Sequence, residues 1–289
     1  MNTTSTPTFS SVLAQSARFA LQWRLLILWI IVLLIPTIIM TFPFWQIISS
    51  QLDNSVYAGA LAQQLNMNSI NDILWVIMQN KFLIHGAGIG ALIFTLLLSP
   101  FLSGAIVTAA RSTTPLATGK LIHGGIAEYW RMFRMMICAI IPFAIAGAII
   151  AGVMHMADGY TEKAIQESNA DFVGHISLAI MIILLVIADA SVEAGRAQFV
   201  HSTTRRSAFK AWWKGVMLVV KRPLSTLGFY VLISLIGLVL AAVFGLLRLH
   251  IGHVSTPGFI IGLIFTQLIV ASTAWMKIAR LYALAAMSK

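Results

Sequence analysis

LLILWIIVLLIPTIIMTFPFWQI, running from Leu25 to Ile47, decides the fold. It is 23 residues long and carries no charge. A helix needs roughly 20 apolar residues to cross the hydrocarbon core of a bilayer. Five further runs meet that requirement: Phe82–Ala110, Met135–Val153, His175–Phe199, Leu224–Leu247 and Gly258–Ile278. The expected fold is therefore all-α, a polytopic membrane protein with six transmembrane helices. Pro36, Pro100 and Pro142 fall in these runs and are compatible with them, because neighbouring groups in a membrane bundle satisfy the carbonyls that proline frees.

The whole composition agrees. The chain has 289 residues, 59% of them hydrophobic and 10% charged, with a mean hydropathy of +0.89. A soluble domain carries about a quarter charged residues, so this chain cannot cover a water-facing globule. Residues 1–17 contain no charge, and no small-residue cleavage site closely follows the first apolar run, which is expected to stay in the mature protein. The single cysteine, Cys138, excludes an internal disulfide and a Cys-based metal site. It reads as a small buried apolar residue.

Charge sets the orientation. Of the 19 lysines and arginines, only Lys81, Lys163 and Arg248 fall on one side of the six spans, and all the others fall on the opposite side. The positive-inside rule makes the richer side cytoplasmic, which places both termini inside a bacterial inner membrane. Most acids (Asp53, Asp72, Asp158, Glu162, Glu167 and Asp171) lie outside. The net charge of +10 thus points to anionic lipid headgroups on the cytoplasmic leaflet rather than to nucleic acid.

Three amphipathic stretches precede the odd-numbered spans. In 205–222, Arg206, Lys210, Lys214 and Lys221 form one stripe, opposed by Phe209, Trp212, Trp213, Val216, Val219 and Val220. Such a helix lies in the interface, with tryptophan at headgroup depth and basic side chains, Arg222 included, on lipid phosphates. Pro223 then turns the chain into the membrane. In 115–134, Trp130, Arg131 and Arg134 take the same roles, and Gly124–Gly125 predicts a bend. In the first stretch Phe9, Val12, Leu13, Ala17 and Ala20 oppose Gln15, Arg18 and Gln22. The chain divides into a single membrane domain of three units, 8–110, 112–200 and 202–280, each an interfacial helix and a hairpin. Ser112–Thr113–Thr114 and Ser202–Thr203–Thr204 open the second and third. An internal repeat and the general look of an inner-membrane hairpin chain both account for this. On the outer side, 48–81 predicts two short surface helices, and 154–174 predicts a solvated polar connection.

Asp189, Glu193 and Arg196 share a helical face near the inner end of the fourth span. Charges at membrane depth face a bundle interior or a polar cavity. They suit a proton or cation relay or a substrate counter-charge. They equally suit ion pairing, with Glu193 bonding Arg196 and Asp189 bonding Arg111 or Arg280. Met154–His155–Met156 is a weak candidate for a soft metal. Gly86 with Gly90, and Gly237 with Ala241 and Gly245, form small-residue ladders for helix packing within the chain or between copies. No phosphate loop or GxSxG is present, and Glu128 is the only acid in the second inner loop, so no carboxylate pair stands there and neither enzymatic activity nor a cofactor is expected.

Phe101–Leu102–Ser103–Gly104–Ala105, Tyr129–Trp130–Arg131–Met132–Phe133–Arg134, Lys221–Arg222–Pro223 and Ala279–Arg280–Leu281–Tyr282 carry a resemblance to the membrane domain of some glycerophosphodiester phosphodiesterases and its stand-alone six-helix relatives. The catalytic domain of those enzymes has no counterpart here, so the resemblance implies a fold and no activity. Two functions fit these readings. One is a transport-class protein, a small permease or the membrane subunit of an exporter, whose loops at 112–134 and 202–222 would dock a membrane or ATPase partner. The other is a scaffold that organises lipid or envelope proteins. A membrane-embedded enzyme acting on lipid is a third and weaker fit.

Overall fold

The computed structural model describes residues 9–52, 67–112, 114–161, 167–202, 207–251 and 256–288. Arg206, Thr113, Thr203, Thr204, Lys163 and the first of the two expected outer helices lie outside these residues. The described chain is 92% helical, with no strand. Its helices are α1 (Phe9–Ala20), α2 (Trp23–Leu52), α3 (Met67–Gln79), α4 (Lys81–Arg111), α5 (Thr118–Cys138), α6 (Ile140–Thr161), α7 (Glu167–Ala197), α8 (Ala208–Lys221), α9 (Pro223–Leu249) and α10 (Thr256–Met287). The second expected outer helix is α3. The described parts of the polar connection 154–174 are helical and mostly exposed. Helix α6 continues to Thr161 and α7 begins at Glu167, because a helix satisfies its own backbone groups whatever its side chains.

Six helices are long and apolar enough to cross a membrane. Protein covers only a minor part of the most apolar window of each. In the fourth span only 11% of the most apolar window is buried. Ile31, Ile38, Ile89, Ile183 and Val239 are all more than half exposed, which a bilayer tolerates and water does not.

The spans form three hairpins, α2 with α4, α6 with α7 and α9 with α10. Each amphipathic helix packs on the returning helix of the preceding hairpin: α5 on α4, and α8 on α7. Helix α1 closes the ring by packing on α10. There the Trp275 indole donates to the Ala17 carbonyl at 3.1 Å, and Phe19 stacks on Tyr282 at 4.3 Å. The buried sides of α1 and α8 each include a four-residue repeat with a small residue at its middle, Val12, Ser16 and Ala20 in α1 and Ala211, Gly215 and Val219 in α8, while α5 buries Leu121, Gly124, Gly125, Glu128, Met132 and Met135. One 90-residue offset separates Ser112 from Ser202, Thr118 from Ala208 and Gly125 from Gly215.

Helix α5 is unbroken through Gly124–Gly125, where a bend was expected. These glycines instead admit a neighbouring helix. A Cβ on Gly125 would lie 3.0 Å from the Phe101 carbonyl, and one on Gly124 would lie 2.4 Å from the Thr108 side chain. The chain breaks later, at Ala139, where Pro142 in the first turn of α6 cannot donate back to the preceding turn. Between α8 and α9 the break is at Arg222, with Pro223 at the first position of α9.

Tight packing is concentrated at the basic end. Gly104, Gly124, Gly125, Gly195 and Gly215 each sit against a neighbouring helix there, whereas Gly86, Gly152, Gly159 and Gly174, toward the opposite ends of their helices, face open space. The core residues tell the same story, clustering in Leu102–Ala109, Leu121–Met135, Val192–Phe199 and Ala274–Ala285.

Candidate functional site

Helix α7 carries Asp189, Glu193 and Arg196 into the basic end of the bundle. Arg280 of α10 meets them there. Its Nη2 donates to Glu193 Oε1 at 2.7 Å and lies 3.8 Å from Asp189 Oδ2. Its Nη1 donates to Ser234 Oγ on α9 at 3.1 Å. Its guanidinium sits 4.4 Å from the ring centre of Tyr230, whose hydroxyl donates a short hydrogen bond to Asp189. One arginine thus ties α7, α9 and α10 together.

This settles which ions pair. Glu193 pairs with Arg280 and not with Arg196, because Glu193 faces α10 across the interface while Arg196 is turned about 60° around its own helix. Asp189 pairs with Arg280 and not with Arg111. The two acids differ in access. The Glu193 side chain is 6% exposed and the Asp189 side chain 36%.

Asp189 looks into a cavity of about 170 Å³. Glu193, Arg196 and Lys277 share its wall with Trp29 from α2 and Ser99 and Ser103 from α4. Asp189 lies eight residues before the end of α7, about 12 Å along the helix axis from its inner end. Arg196 and Lys277 form no ion pair among the described residues. The Lys277 ammonium lies 5.6 Å from the Trp29 ring centre. Glu193 Oε2, Arg196 Nε and Trp29 Nε1 are buried without a hydrogen-bond partner in the protein.

A second buried cluster was hidden in the sequence. Glu128, 7% exposed, receives both Arg111 and Arg131 at 2.6 Å. The same arginines donate to the carbonyls of Phe199 and Ser202, in the segment that follows α7. The available signal was Glu128 itself, a lone acid in a basic inner loop.

The expected headgroup residues divide. Lys210, Trp213, Lys214, Lys221, Arg222, Trp130 and Arg134 are exposed. Arg131 is less exposed and is held by Glu128. Trp212 is also withdrawn, 7% exposed, with its indole donating to Ser191 Oγ at 3.3 Å. The missing Cβ of Gly195, which would lie 2.9 Å from Trp212 Cα, lets α8 approach this closely. The apolar side of α8 is therefore split between α7 and lipid.

The small-residue ladders divide as well. A Cβ on Gly237 would lie 2.6 Å from Met276 Cβ, so α9 and α10 approach closely there, but Gly245 clears Ile269 by 3.9 Å. Ala241 is partly buried. Gly90 lies within ordinary contact of Ile39, while Gly86 touches nothing, so that pair does not bring two helices of this chain together. Met154, His155 and Met156 are successive residues of α6, splayed about 100° apart, and cannot converge on one ion. Among the described residues no group of three His, Cys, Asp or Glu side chains could hold a metal.

Comparison with family models, curated proteins and solved structures finds no match to this chain.

Proposed function

We propose that the chain is a transport-class protein of the bacterial inner membrane, with both termini cytoplasmic, and that its solute passes the cavity at Asp189. The observation that carries this reading is the cavity itself. A purely structural ion pair needs no open volume beside it, and packed interiors contain few voids. Here a carboxylate, an arginine and a lysine line open volume within the spans. The loose outer halves of the helices leave room to open that volume outward, against a tightly packed inner end.

The test is solvent access. In a Cys138→Ser background, Ser103→Cys is expected to react with a membrane-impermeant thiol reagent. Ile183→Cys, on a lipid-facing surface, is the unreactive reference. Alternating access predicts that Ser103→Cys reacts in both right-side-out and inverted vesicles. A cysteine at 103 as inert as one at 183 from both sides would sink the reading. It would favour a scaffold that uses the exposed aromatic and basic face of Trp130, Trp213, Lys210 and Lys214.

A further inference from the structure

We propose that the cavity between α2, α4, α7 and α10 binds a singly charged phosphate group, with Arg196 and Lys277 as its counter-ions. This deepens the transport reading by naming the substrate class, and it rests on the same cavity.

Charge comes first. Two acids, Asp189 and Glu193, and three cations, Arg196, Lys277 and Arg280, meet at this site. Arg280 is committed to both acids. Arg196 and Lys277 are left without a carboxylate partner, so one negative charge completes the balance. A dianion would be repelled by Asp189 and the free oxygen of Glu193.

The donors fit the same group. Arg196 offers a planar fork and Lys277 a point charge, a pairing suited to phosphate oxygens. Trp29, 6% exposed, presents a buried indole N–H with no partner in the protein. The Ser103 hydroxyl stands on the same wall. These donors come from four helices, more than the two oxygens of a carboxylate would use. The unpaired Glu193 Oε2 accepts from a hydroxyl or ammonium group carried beside the phosphate. A cavity of about 170 Å³ holds a headgroup-sized molecule and no acyl chain.

Such a group could arrive on a phospholipid or as a free solute, and the two sources are separable. The purified full-length chain is incubated with radiolabelled inorganic phosphate in one arm. In the other it is placed in nanodiscs of phosphatidylglycerol, and retained lipid is counted by native mass spectrometry. One arm is expected to show saturable binding near one equivalent. Arg196→Gln and Lys277→Gln should each weaken it by about tenfold or more, as expected for loss of a charge-assisted contact. Arg196→Lys should retain part of it. Should a glutamine variant not fold, Trp29→Phe and Ser103→Ala remove donors without changing charge and should each weaken binding several-fold. Binding in neither arm, or variants that bind as the parent does, overturns the proposal. Lost binding with a reactive Ser103→Cys removes the substrate class alone; an unreactive cysteine removes the transport reading.

Discussion

Arg280→Met is expected to abolish the folded, monodisperse protein in mild detergent. The substitution leaves Glu193, with a 6% exposed side chain, buried without its cation, and takes from Asp189 its only ion-pair partner among the described residues. Removing one partner of a buried ion pair costs about 3–5 kcal/mol, a large share of the roughly 5–15 kcal/mol that holds a typical domain folded. The loss also disconnects Ser234 and the face of Tyr230, so α7, α9 and α10 lose their common tie. Replacing both ends of the pair distinguishes charge from shape. Arg280→Met with Glu193→Leu should recover part of the stability, since an apolar pair of similar volume often substitutes for a buried ion pair. Fluorescence-detected size exclusion and thermal melts read both variants. An Arg280→Met protein that melts like its parent would show that the network is not what holds the inner end together.

Gly215→Ala is expected to be nearly as damaging, although it adds one methyl group. The new Cβ would lie 2.4 Å from the Gly195 backbone nitrogen and 2.7 Å from the Ser191 carbonyl oxygen. Backbone atoms have no rotamer with which to move aside, so α8 must lift from α7 and take the Trp212 contact with it. Overpacking usually costs about 1–3 kcal/mol, and here the closest neighbours are the least yielding. Gly86→Ala is the matched control. Its Cβ meets nothing, and alanine favours the helix by roughly 1 kcal/mol, so its melting temperature should hold or rise slightly. Equal behaviour of the two variants would contradict the close approach of α8 to α7.

The contrast between these glycines shows how far the sequence could be read. The Gly86–Gly90 pair matches a well-known packing pattern, yet Gly86 is unpacked. Gly215, four residues after Ala211, was not singled out in the sequence, yet helix meets helix there. Gly124–Gly125 read as a bend because glycine weakens a helix; the close approach of α4 there was not legible, because a glycine's lack of a side chain makes a contact only opposite a neighbour. Arg196 looked like the partner of Glu193 through its spacing along one helix, and Arg280, 87 positions away, took that place. Trp212 and Trp213 are adjacent and chemically alike. One packs in protein and the other is exposed, which depends on where α7 lies.

What the sequence determined by itself was everything that sums along the chain: six spans, their hairpin order, and the amphipathic helices before the odd-numbered ones. Transfer of a residue into a bilayer depends mainly on that residue and its depth, so a running total along the chain suffices. What only the tertiary structure decided was everything that depends on a neighbour: the closure of α1 on α10, the pairing of Arg280 with Glu193, the buried Glu128 cluster, and the cavity at Asp189. Those are properties of pairs brought together from distant positions, and no total taken along a single chain contains them.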